Sequence, residues 1–69
     1  MRTKINKVAG YRAMLGLTQR DIAKKLWISS QSYSNKENGR TSFSDKEKIK
    51  LKIIFSEIDG SLTIDDIFF

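Results

Sequence analysis

The chain has no cysteine, no histidine and no proline. Without cysteine there is no disulfide framework, no thiolate metal site and no thiol nucleophile. Without histidine the usual general base and the common zinc ligand are missing as well. No apolar run approaches the ~20 residues of a membrane span, and Met1 opens a polar stretch, not a secretory leader. Nothing resembles a nucleophile, base and orienting group, so the sequence predicts no enzyme. It also predicts no metal, no cofactor and no small-molecule ligand. The expected setting is the reducing cytoplasm, and the 69 residues read as one small domain, 1–69, with a modest core.

Acidic charge is the other scarcity, and it is uneven. Residues 1–52 hold all 13 Lys and Arg but only Asp21, Glu37, Asp45 and Glu47, a net +9. Residues 53–69 hold Glu57, Asp59, Asp65 and Asp66 and no base, a net −4. A basic body with an acidic end suggests a polyanion met by one side of the molecule. The plainer alternative is a solvated, Lys-rich surface.

Helical spacing dominates what is present. Ile5, Val8, Ala9, Arg12 and Leu15 share a face, and Gly16 is a natural stop, so a first helix is expected at about 4–15. Gly10 weakens that helix slightly. Thr18 is a good N-cap with Asp21 three residues on. The second helix, 19–26, turns Ile22, Ala23 and Leu26 inward and Gln19, Arg20, Lys24 and Lys25 outward. Ser29 is the next cap, with Ile28 and Tyr33 at hydrophobic-staple spacing. The third helix, 30–37, stops at Asn38-Gly39 and is polar all round except for Tyr33, a core residue.

Ser44 and Glu47 form a capping box before an ambiguous run. Residues 48–53 alternate as a strand would, whereas Leu51, Ile54, Phe55 and Ile58 follow helical spacing. The box and the absence of a partner strand favour a helix, about 45–58. Ile49 and Ile53 then form a second stripe, to be covered by Phe43 or the tail or by another subunit. Asp59-Gly60-Ser61 is a turn, and Thr63 caps a last helix, 64–68, with Asp65 and Asp66 complementing its dipole. Leu62, Ile64, Ile67 and Phe68 close the core. The fold expected is all-α, five short helices.

The middle pair carries the functional signal. A helix, a turn of about three residues and a second, polar helix make a helix-turn-helix, whose second helix enters the major groove of DNA. Gln and Asn can bond adenine with two hydrogen bonds, and Ser donates or accepts. Gln31 and Asn35, four apart, share a face flanked by Ser30 and Ser34. Phosphate contacts suit Gln19 at the start of the second helix and Asn38, Gly39, Arg40 and Thr41 after the third. Lys36 and the Lys-rich start of the fourth helix add diffuse attraction. Six neutralised phosphates would give a log–log salt slope of about −5.

The ordered set is more specific than any piece. Thr18-Gln19-x-x-Ile22-Ala23-x-x-Leu26-x-Ile28-Ser29, then Tyr33 and Glu37-Asn38-Gly39-Arg40-Thr41, resembles the Cro and repressor family of lambdoid phages and the wider Xre-type regulators. The likeness spans the chain, from Tyr11-Arg12 to the closing Thr63-Ile-Asp-Asp-Ile-Phe68. It implies a lambda-repressor-like fold and a sequence-specific transcriptional regulator. The resemblance puts Ser30, Gln31 and Asn35 at base-reading positions. It puts Gln19 where a glutamine bonds a phosphate and braces the recognition helix, and Asn38 and Arg40 where the family meets backbone. It implies a structural ion pair between Arg12 and Glu37. Three departures stand out: Lys36 replaces an apolar residue, no proline follows Arg40, and Trp27 occupies the turn position where the family favours glycine.

The expected function is therefore a phage or mobile-element repressor, cytoplasmic and nucleoid-associated, acting as a homodimer on a palindromic double-stranded operator. Candidate dimer surfaces are the loop before the fourth helix, the Ile49–Ile53 stripe and Phe68-Phe69. Two alternatives are an antitoxin-like regulator that binds a toxin and DNA, and a helical adaptor that binds only protein. For Trp27 the sequence predicts positive φ or a locally altered turn, and leaves open whether its ring covers the fold or makes a contact.

Overall fold

The computed structural model describes residues 6–68. Five helices follow one another: α1 (Lys7–Met14), α2 (Gln19–Leu26), α3 (Ser30–Glu37), α4 (Asp45–Phe55) and α5 (Ile64–Phe68). No strand occurs among the described residues.

Short side chains start these helices. Oδ1 of Asn6 accepts from the Ala9 N–H at 3.0 Å, which fixes the beginning of α1 at Lys7, later than residue 4. Ile5 and Phe69 lie outside the described residues. Thr18 and Asp21 cap α2 reciprocally, at 3.1 and 2.9 Å, and Ser44 and Glu47 do the same for α4. Oγ of Ser29 accepts from Ser32 at 3.0 Å to start α3. Thr63 and Asp66 pair in the same way before α5.

Three helices also end alike. After α1, Gly16 N–H reaches Ala13 O and Leu17 N–H reaches Arg12 O. After α3, Gly39 N–H reaches Lys36 O and Arg40 N–H reaches Asn35 O. After α2, Trp27 N–H reaches Lys24 O and Ile28 N–H reaches Ala23 O. This double bond pattern turns the chain sharply and needs one residue with positive φ. The three have φ of 71° (Gly16), 85° (Gly39) and 62° (Trp27). A Cβ at Gly16 or Gly39 would meet nothing within 4 Å, so only φ itself favours glycine there.

α4 settles the ambiguous run. As a helix it separates the alternating residues: Leu51 and Phe55 are fully buried, while Ile49 and Ile53 are 50% and 65% exposed. Neither Phe43 nor the described part of the tail covers that pair. α4 stops at Phe55, three residues before the expected 58, because the chain tightens into i to i+3 bonds at Glu57 and Ile58. The Ser56 hydroxyl donates to the Ile53 carbonyl and helps end the helix.

The core comprises Val8, Ile22, Ala23, Leu26, Tyr33, Leu51, Phe55, Leu62 and Ile67, with one or more residues from every helix. Each large side chain buried there contributes about 1.5–3 kcal/mol. Phe43 holds the proline-free segment after Arg40 in place, its ring 5.9 Å from Tyr33 and 5.7 Å from Phe68. Phe68 is thus packed, and its ring also lies 5.7 Å from the Lys48 ammonium. Tyr11 stacks at 5.4 Å on Phe55.

Candidate nucleic-acid interface

α3 brings one apolar side chain to the core, so its position depends on polar bonds. The carboxylate of Glu37, 8% exposed, collects them. Arg12 donates from Nε at 2.8 Å and from a terminal nitrogen at 3.2 Å. The Gln19 amide donates at 2.8 Å and the Tyr33 hydroxyl at 2.6 Å. The Asn6 amide donates to the Glu37 backbone carbonyl at 3.0 Å, and Arg12 also reaches the Leu17 carbonyl. The N-cap of α1, α1 itself and α2 are all tied to the end of α3 by this one residue.

The charges are consistent with that geometry. Burial pushes the Glu37 carboxyl up, but the bonds from Arg12, Tyr33 and Gln19 outweigh it and hold its pKa below the ordinary value. Burial and the bond to Glu37 push the Tyr33 hydroxyl up, so it stays a donor. The hydrogen bond to Glu37 raises Arg12 despite partial burial. No buried side-chain polar atom among the described residues lacks a partner.

The opposite face of α3 is free. Ser30 and Gln31 are exposed, and Ser34 and Asn35 are half-buried. The Gln31 amide donates to Oδ1 of Asn35 at 3.2 Å, which holds the two predicted base readers side by side. Asn38, Arg40 and Thr41 are exposed past the C-terminal end, and the Asn38 amide lies 3.4 Å from the Ser34 hydroxyl. Arg40 makes no ion pair among the described residues.

Two of the predicted backbone residues are bonded to side chains of other helices. Gln19 braces α3 through Glu37. Lys36 donates to both oxygens of Glu47 at 2.7 and 2.9 Å and pins α3 to the start of α4. Burial pushes Glu47 up, yet the Lys36 bond and the Ser44 N–H hold its pKa below the ordinary value. Sequence reasoning missed the Lys36–Glu47 pair, which joins residues eleven apart on different helices with no periodic signal. It also missed that Tyr33 joins the Glu37 cluster and that Glu37 is the group through which Gln19 braces α3. The four-residue step from Tyr33 to Glu37 was a usable signal for the first.

A recognition helix tied down behind and free in front, entered through a tight turn from α2, is the helix-turn-helix arrangement. Residues 8–51 match the model of a protein family described as helix-turn-helix. The chain belongs to that family. It is a DNA-binding helix-turn-helix regulator of the Cro and C1 type. No curated protein and no solved structure matches it significantly. The matched span covers α3 entirely and, of the Glu37 cluster, Arg12, Gln19, Tyr33 and Glu37 but not Asn6. No helix among the described residues is long and apolar enough to cross a membrane.

Proposed function

We propose that this helix-turn-helix chain is a sequence-specific repressor of phage or mobile-element type that places α3 in the major groove. The observation that carries the reading is the two-sidedness of α3. Its inner face is fully bonded to the protein, and its outer face presents amides and hydroxyls with no bond outside α3 and its cap. Ser30, Gln31 and Asn35 read base edges. Gln31 and Asn35 exchange their mutual bond for two bonds each to adenine or for single bonds to other bases.

Gln19, Ser34, Lys36, Asn38, Arg40 and Thr41 meet the sugar-phosphate backbone and set the register. Gln19 does so with the part of its amide that Glu37 leaves free, so phosphate binding and the bracing of α3 share one side chain. Lys36 divides its ammonium between Glu47 and a phosphate. All 69 residues act as one domain, working wherever the DNA is. A domain this small reads a few base pairs, so operator specificity calls for a homodimer on half-sites about one helical turn apart. With Phe43 and Phe68 partly buried against the core, the more exposed Ile49 and Ile53 on α4 form the dimer surface.

Selection of bound duplexes from a random pool tests the reading. A palindrome with two half-sites is the expected product, and a pool without sequence preference overturns it. Sedimentation of wild type and Ile53→Glu tests the dimer: the variant should remain monomeric where wild type associates on the selected duplex. An antitoxin-like regulator would use the same isoleucines on a toxin. It is favoured if Ile53→Glu leaves the dimer and the operator affinity unchanged.

A further inference from the structure

Trp27 is the most exposed large hydrophobic side chain among the described residues, at 87%. It is also the one non-glycine residue among them with positive φ. A left-handed backbone is strained in residues that carry a Cβ, and glycine or asparagine adopts it readily. An indole this exposed returns almost no burial against that strain. For folding alone, Trp27 is the wrong residue in its own turn. Strain of this kind persists chiefly where a site uses it.

The surroundings indicate what the site would hold. Arg20 and Lys24, four apart, share an outer face of α2, and Trp27 follows as its left-handed C-cap, two residues after Lys25. None of these cations makes an ion pair among the described residues. The one acid of α2, Asp21, is turned back to the Thr18 N–H. Two residues after the indole, Ser29 caps α3, and Ser30 is at most about 11 Å of chain away. An exposed aromatic at the end of a helix whose outer cations form no ion pair, close in the chain to the start of α3, complements a polyanion docked on α3.

We propose that Trp27 is a DNA-contact residue. Its ring lies against a deoxyribose of the strand bordering the groove that α3 enters, and its N–H, a donor only, bonds a phosphate oxygen. Arg20 and Lys24 hold neighbouring phosphates. The contact positions the protein and does not specify sequence. The inference rests on the DNA reading above.

Trp27 is the sole tryptophan, so its emission reports on this contact alone. Excited at the red edge, where tyrosine is dark, it is titrated with the selected duplex and with a scrambled duplex of equal length. Acrylamide quenching measures access to the ring, and anisotropy of labelled DNA measures binding independently. The expected results are protection of the indole by both duplexes and binding about tenfold weaker, for either duplex alike, in Trp27→Gly and Trp27→Asn. Both variants should melt a few degrees higher than wild type, which separates lost contact from lost fold. Trp27→Phe, which keeps a ring but lacks the donor, should fall between wild type and Trp27→Gly in affinity. Duplex binding with the indole as quenchable as in the free protein overturns the contact and leaves the regulator reading standing. So does unchanged affinity in Trp27→Gly. Protection that follows protein concentration without DNA overturns it in favour of a protein occupant. Absence of binding to any duplex overturns the regulator reading itself.

Discussion

The two faces of α3 are built from similar residues and held in opposite ways. Inward, Tyr33 and Glu37 are buried, and the Glu37 side chain is bonded to Arg12, Gln19 and Tyr33. Outward, Gln31 and Asn35 are bonded only to each other. A helix with one apolar anchor is held in place by a buried carboxylate, which leaves its other side with no structural duty. The contrast shows how a short, polar helix can be held in place from one side and still keep the hydrogen-bonding groups of its other side available.

Breaking the inner face should have the largest effect. Arg12→Ala leaves the buried Glu37 charge without its cation and should lower folding stability by about 3–5 kcal/mol in denaturant titration. Tyr33→Phe keeps the ring in the core and removes one bond to a charged group. It should lower stability by about 1.5–3 kcal/mol. On the outer face the pattern should invert. Gln31→Ala and Asn35→Ala should each weaken binding to the selected operator by about 1–3 kcal/mol and relax preference locally. Their melting curves should stay within about 0.5 kcal/mol of wild type. A large loss of stability in either variant would mean that the two faces are not independent.

Acid should sharpen the same contrast with the smallest and most gradual change. The Glu37 pKa is lower folded than unfolded, so the unfolded chain binds more protons as pH falls. Its contribution is complete above the ordinary carboxylate range and is lost as pH drops through the depressed folded value. Glu47, Asp21 and Asp59 shift in the same direction. Stability measured by denaturant below about pH 4.5 should therefore decline, and less steeply in Glu37→Gln, which has no carboxylate to take up that proton.

Much of this was legible in residue order because the signals are local. Thr18, Ser29, Ser44 and Thr63 cap helices through atoms three residues away, and Gly16 and Gly39 turn the chain because φ is a property of one residue. For Trp27 the family's turn position gave positive φ or an altered turn, and the backbone takes the first. Less was legible where partners come from different helices. The ion pair of Arg12 with Glu37 could be inferred only from family likeness, and the pairing of Lys36 with Glu47 carried no signal. The end of α4 depended on the turn that follows it, and periodicity continues past that turn.

By itself the sequence determined the helical class, the placement of most caps and stops, the helix-turn-helix in the middle, and the side of α3 that carries amides. These follow from torsional preference and periodicity, which act over a few residues. Only the tertiary structure decided which polar side chains face inward. It committed Gln19 to Glu37 and Lys36 to Glu47, buried Leu51 while exposing Ile49 and Ile53, and left the indole of Trp27 in solvent. The physical reason is burial: a charge or amide becomes bound to a particular partner when packing removes its water, and packing is a property of the whole fold.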